Sequence, residues 1–206
     1  MPTNKQSRGK VSKDLAFVRA ASAMMVASAA LFASSEAHAL VNVGAEAGLV
    51  KRTADSPNNL KLGVGYGVHA ELDLIPLLKV GPYLLHYELA GADESPLSAD
   101  AAFTALGLRA RLMLPVPGSI KPYAYIGAGY TWVNYTYPVI DDRPGRFIEI
   151  PIGVGAAYEP LPLLQISLDA AYRPATSFGG TAYEPTSPIT HPGTGYSVLL
   201  GVAVNL

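Results

Sequence analysis

Cysteine is absent from the 206 residues, which excludes both a disulfide framework and a thiolate metal site. An excess of positive charge is also absent. Beyond residue 39 the chain carries four lysines, six arginines and fourteen acids, a net charge of −4, which excludes a strongly basic nucleic-acid binder. Past the same point no apolar run approaches the ~20 residues of a membrane-spanning helix. Nor does any segment combine a period of 3.6 with capping residues, so essentially no helix is expected after residue 39. If this chain enters a membrane, it does so through strands.

The first 39 residues differ in kind from the rest. Lys5, Arg8, Lys10, Lys13 and Arg19 precede an Ala/Met/Val/Leu run from about Ala20 to Ala33, and Ala37-His38-Ala39 follows. A basic region, a short apolar region and an A-x-A site predict a secretory signal peptide over residues 1–39. Residues 40–206 are then a single exported domain.

What that domain has is alternation. In LGVGYGVHAELDL (62–74) one side reads Leu62, Val64, Tyr66, Val68, Ala70, Leu72, Leu74, and the other reads Gly63, Gly65, Gly67, His69, Glu71, Asp73. Period two over this length marks a β-strand with two chemically different faces. Eight such stretches recur, at about 41–51, 62–75, 79–90, 102–114, 122–133, 147–159, 164–173 and 195–206. The connectors after the second, fourth and sixth are short and rich in Pro and Leu: IPLLK (75–79), PVPGSIK (115–121) and EPLPLL (159–164). Those after the first, third, fifth and seventh are longer and more polar, spanning 52–61, 91–101, 134–146 and 174–194. Short turns at one end and long loops at the other are the habit of outer-membrane barrels.

Charge and aromatic placement point the same way. The four lysines beyond the leader fall in loops or at strand ends, and no outward position inside a strand is expected to be charged. The apolar faces, such as Ile148, Ile150, Ile152, Val154, Ala156 and Tyr158, suit lipid, whereas the opposite faces are too rich in Gly and Ala for a water-facing surface. Tyr66, Tyr87, Tyr130, Trp132, Tyr172 and Tyr196 gather toward the long-loop end, and Tyr83 and Tyr158 toward the short-turn end, as two interfacial girdles. The predicted fold is all-β, an eight-stranded antiparallel up-and-down transmembrane β-barrel. Its apolar face meets lipid, and Val68, Leu106, Ile152 and Val202 are expected among the lipid contacts.

Residues 41–206, with stretches such as LDLIPLLKVGPYL and KPYAYIGAGYTWV, resemble the small eight-stranded outer-membrane β-barrels typified by the transmembrane domain of outer membrane protein A. The resemblance implies a bacterial outer-membrane location with both termini in the periplasm. It also implies folding by the barrel-assembly machinery and a monomer surrounded by outer-membrane lipid. The chain ends VAVNL on Leu206, where many such proteins end on an aromatic residue.

The parity of the strands sends Glu46, His69, Glu71, Asp73, His86, Glu88, Arg109, Arg111, Glu149, Asp169 and Arg173 into the lumen. An eight-stranded barrel holds side chains rather than a wide pore. Buried charges there must be paired, so the lumen is read as a plug cross-linked by Arg–carboxylate pairs: Glu71 with Arg109, Asp73 with Arg111, and Glu149 with Arg173. A narrow ion path is the functional alternative. Two further classes compete: a barrel enzyme acting on outer-leaflet lipid, and a soluble periplasmic barrel holding a small ligand. The enzyme reading would use His86 with Glu88, or His191 near Ser187 or Ser197, but no spacing fixes a nucleophile, base and acid together. DDRPGR (141–146) reads as a turn. The expected role is structural or adhesive, through four outer loops and without catalysis, metal, cofactor or nucleic-acid partner.

Overall fold

The computed structural model describes residues 41–53, 60–75, 77–91, 100–136, 143–161, 163–176 and 193–206. The leader expected over residues 1–39 lies outside them, as do His191, Ser187 and the tips of the long connectors. No helix occurs among the described residues. Nine strand segments follow one another: β1 (Val41–Thr53), β2 (Gly63–Ile75), β3 (Leu78–Leu89), β4 (Asp100–Met113), β5 (Ile120–Thr136), β6 (Arg143–Glu149), β7 (Ile152–Leu161), β8 (Leu164–Thr176) and β9 (Thr194–Asn205).

The nine segments make eight staves. β6 and β7 flank Ile150-Pro151, where proline lacks the amide that a ladder bond needs. The register does not change across the break: on β5, Gly129 pairs with Glu149 and Ile126 with Ile152. Gly127 still donates to the Pro151 carbonyl, and Ile150 to that of Pro174, at 2.8 and 3.0 Å. Each stave pairs antiparallel with its chain neighbours, and β1 pairs with β9, from Asn42 opposite Asn205 to Thr53 opposite Thr194. Val41 and Leu206 exchange backbone bonds of 3.1 and 2.8 Å at that seam. The ring therefore has no free edge, as a sheet in hydrocarbon requires. The strand termini Val41 and Leu206 lie at the short-turn end.

Side chains alternate between wall and lumen along every stave. β9 turns Tyr196, Val198, Leu200, Val202 and Val204 outward, and β7 turns out Ile152, Val154 and Tyr158. Leu106, Ile152 and Val202 are exposed on this wall, and Val68 is partly so. Tyr66, Tyr130, Trp132, Tyr172 and Tyr196 are exposed toward the long-loop end. Inside, an apolar cluster of Val50, Leu85, Tyr87, Leu89, Phe103, Val133, Phe147 and Leu199 fills the long-loop half. Met113, Tyr123, Tyr125, Ala157 and Ala171 form a second cluster in the other half.

β3 runs opposite to the sequence expectation. Lys79, Gly81, Tyr83, Leu85, Tyr87 and Leu89 point into the lumen, and His86 and Glu88 point outward. Tyr83 and Tyr87 are thus lumen residues, 3% and 0% exposed, rather than girdle residues. The reason is volume. The lumen face of neighbouring staves offers glycine where the Tyr83 ring lies: a Cβ on Gly107 would come within 2.8 Å of that ring, and one on Gly129 would collide with its hydroxyl, while Tyr87 stacks on Phe103 at 4.8 Å. Large side chains in a narrow barrel settle over such gaps.

Candidate functional site

The chemistry of this molecule lies inside the barrel, in two tiers. The upper tier, near the long loops, centres on Glu149 of β6. Arg52 of β1 donates to Glu149 Oε1, to the Tyr87 hydroxyl at 3.2 Å and to the Gly193 carbonyl at 3.3 Å. Its guanidinium lies over the rings of Phe147 and Phe103, 4.7 and 5.2 Å from their centroids. Arg173 of β8 reaches the other oxygen, Glu149 Oε2, at 3.4 Å and donates its Nε–H to Ser197 Oγ at 3.0 Å.

The lower tier is built on Arg109 of β4. Its Nε–H donates to Glu71 Oε1 at 2.6 Å and its Nη1 to Glu46 Oε2 at 3.1 Å. Glu71 and Arg109 sit on staves separated by β3, in a row where β3 supplies only Gly81. Arg109 is the register partner of Gly81, and a Cβ there would fall 2.7 Å from Glu71 Cα and collide with the Ala70 carbonyl. Glycine clears the path between acid and base. Arg111 Nη1 lies 3.4 Å from Glu71 Oε2, with its guanidinium 4.4 Å over the Tyr123 ring. His69 Nδ1 lies 3.6 Å from Glu46 Oε2. Asp169 accepts the hydroxyls of both Tyr123 and Tyr125 at 3.0 Å.

Glu46, His69, Glu71, Arg109, Arg111, Glu149, Asp169 and Arg173 thus occupy the lumen together. The sequence pairing of Asp73 with Arg111 is replaced. Asp73 sits directly opposite Lys79 across the β2–β3 hairpin and forms an ion pair with it at 3.1 Å, which leaves Arg111 to Glu71. His86 and Glu88 leave the network altogether. On the lipid-facing wall His86 Nδ1 meets Thr104 Oγ1 at 2.9 Å, and its Nε2 lies 3.5 Å from Glu88 Oε1. Ser197 is a lumen partner of Arg173. Of DDRPGR, residues 143–146 open strand β6 rather than a turn.

Arg52 was missed because RTADSPNNLK reads as loop from its first residue. The parity of Gly44, Glu46, Gly48 and Val50, carried one step further, would have found it. Tyr123 and Tyr125, in KPYAYIGAG, share parity with Gly127 and Gly129 and carry the same signal.

The arrangement closes electrostatically. Arg52, Arg109, Arg111 and Arg173 face Glu46, Glu71, Glu149 and Asp169, four cations and four carboxylates, each at most 4% exposed. Charges so far from water require this balance, because an uncompensated buried ion costs several kcal/mol. Among the described residues no cluster of His, Cys, Asp and Glu could hold a metal ion.

A closed ring of eight staves, apolar outside and charge-balanced within, defines a transmembrane β-barrel. Residues 19–204 match the family of the outer membrane protein beta-barrel domain, and the chain belongs to that family: it is a β-barrel protein of the bacterial outer membrane. Neisserial surface protein A superposes with a TM-score of 0.63 at 15% identity, over 81% of this chain and 97% of that one. Ail, the attachment invasion locus protein of Yersinia pestis, does so at 0.50 and 14% identity, over 82% and 97%. The N-terminal β-barrel domain of Pseudomonas aeruginosa OprF gives 0.50 and 16%, over 82% and 100%. At such identities the likeness is one of fold. No curated protein matches the sequence.

Proposed function

We propose that the protein is a plugged membrane scaffold whose work is structural or adhesive, done by its four long connectors outside the cell. The observation that carries this reading is the balanced interior. Two Arg–carboxylate tiers and two aromatic clusters fill the lumen, which speaks against transport and leaves the exterior as the working surface. The strand ends that lead into the long connectors share one end of the barrel and Val41 and Leu206 the other, so a single orientation would give loops outside and termini in the periplasm. Residues 1–39 act as the export signal, the barrel-assembly machinery folds the exported chain, and the barrel stands as a monomer in lipid.

Catalysis is not part of the proposal. Thr104, His86 and Glu88 resemble a hydroxyl–base–acid set, but the amides around Thr104 belong to the β3–β4 and β4–β5 ladders. None is free to stabilise an oxyanion.

A membrane-impermeant amine label tests the orientation in intact cells. Lys61, exposed beside the first long connector, should react, and Lys121, partly exposed beside a short turn and paired with Glu159, should react only after the envelope is opened. Lys79 is too buried to inform. Labelling of Lys121 before Lys61 would reverse the barrel and overturn the reading.

A further inference from the structure

Among the described residues the lipid-facing wall is mostly aliphatic and aromatic, with Lys51 exposed on β1, and its polar side chains gather in one row near the long-loop end. Following the register from stave to stave, Tyr66 pairs with His86, His86 with Thr104, Thr104 with Trp132, and Trp132 with Arg146. All five point outward from consecutive staves, and the row runs about 20 Å along the wall at ~4.8 Å per stave. Glu88 stands one pleat above His86 on the same face. Interfacial girdles need only aromatic side chains. A carboxylate, an imidazole, a hydroxyl and a guanidinium gathered among them demand another account.

We propose that this row is a binding site for the phosphorylated saccharide headgroup of an outer-leaflet lipid. The row is continuous with the lipid-facing wall, so the molecules that touch it are membrane lipids, and its level places it against their headgroups. Its polar groups divide by chemistry. Arg146 is exposed and presents the planar donor fork that matches a phosphate. Glu88, whose side chain is 74% exposed, is an acceptor for sugar hydroxyls. His86, held by Thr104 on one nitrogen, stands 3.5 Å from Glu88 on the other, so that imidazole and carboxylate face the same surface. Aromatic faces flank the polar groups: Tyr66 packs its ring 5.2 Å from His86, and Tyr130 meets Trp132 edge-on at 4.8 Å. Such rings stack against the apolar faces of sugars. Phosphate at one end and hydroxyls at the other specify a lipid that carries both.

The placement in the outer leaflet rests on the orientation proposed above, but binding itself does not, so the two fail separately. Trp132 is the single tryptophan of the chain and lies in the row, so its fluorescence reports on the site directly. The full chain, folded in detergent, is titrated with lipid A, with phosphatidylglycerol (phosphate without sugar) and with glucosyl diacylglycerol (sugar without phosphate). Lipid A should give a saturable change at one lipid per barrel, and each of the others should bind at least about tenfold more weakly. Arg146→Gln should weaken lipid A about tenfold and leave glucosyl diacylglycerol unchanged, the loss expected for one charge-assisted contact. Glu88→Gln should weaken both glycolipids. Lys51→Gln, exposed on β1 outside the row, should change nothing. Arg146→Lys keeps the charge without the fork and gives a second reading should Arg146→Gln not fold. Equal affinity for phosphatidylglycerol and lipid A, a response that never saturates, or indifference to both Arg146 variants would overturn the proposal.

Discussion

Arg109 is the hinge of the lower tier, and its pairing with Glu71 can be weighed quantitatively. Glu71→Gln keeps the shape of the side chain but removes one charge from a site that is fully buried. Arg109 keeps Glu46, at 3.1 Å, but Arg111 is left with the Tyr123 ring and no carboxylate. Arg109→Met removes the opposite charge. Glu71 keeps Arg111, whereas Glu46 is left with His69 alone. Each single change therefore strands one buried ion and should cost about 3–5 kcal/mol. The double variant restores neutrality, since Glu46 and Arg111 remain as opposite charges in one tier. Its loss should fall short of the sum by about 2–3 kcal/mol, the coupling of two side chains in direct contact. The assay is equilibrium urea unfolding from detergent or lipid vesicles, followed by Trp132 fluorescence, with the heat-dependent gel shift of small barrels checking that each variant folds. Additivity to within about 0.5 kcal/mol would refute the reasoning, because it would mean that the two charges do not sense one another.

Other perturbations test other surfaces with the same unfolding assay. Val202, midway along the outward face of β9 between Tyr196 and Leu206, should tolerate arginine poorly; Val202→Arg should cost about 2–4 kcal/mol, and a change below 0.5 kcal/mol would remove Val202 from the bilayer core. Gly81→Ala puts a methyl group against the backbone of Ala70 and Glu71 and should cost about 1–3 kcal/mol or more through overpacking. Gly118→Ala, at a turn with open space around the missing Cβ but a φ of +122°, should strain the backbone without touching the Arg109–Glu71 coupling. A stable Gly81→Ala barrel with that coupling intact would show that β3 does not need glycine there.

How far this barrel can be read from its sequence depends on whether the two sides of a stave differ. On β9, Tyr196, Val198, Leu200, Val202 and Val204 alternate with an inner side of Gly195, Ser197, Gly201 and Ala203 broken only by Leu199, and the outward side is unmistakable. On β1, Glu46 and Arg52 share a side with three small or apolar residues, and the assignment holds as soon as the strand is allowed to reach Thr53. β3 is different. Leu84 and Leu85 are equally apolar, and the polar pair His86 and Glu88 falls on the side opposite the aromatic pair Tyr83 and Tyr87. Judged by polarity alone, such a strand puts its charges inside. Two physical facts outweigh that preference, and both involve other staves. Residues opposite one another in a hairpin point the same way, so with Asp73 inward its partner Lys79 must be inward too, and parity then carries Gly81, Tyr83, Leu85 and Tyr87 into the lumen. Second, the lumen of an eight-stranded barrel holds side chains and little else, so large rings must face glycine. Gly107 and Gly129 leave space for the Tyr83 ring, and Gly65 lies beside the Tyr87 Cβ. His86 and Glu88 are pushed outward by this packing. They remain tolerable there because they lie near the long-loop end, where Thr104 satisfies the imidazole and the carboxylate is largely exposed. The charge that seemed misplaced is thus a feature of the wall that polarity alone does not explain as lipid-facing surface, and it is where the proposed headgroup would be recognised.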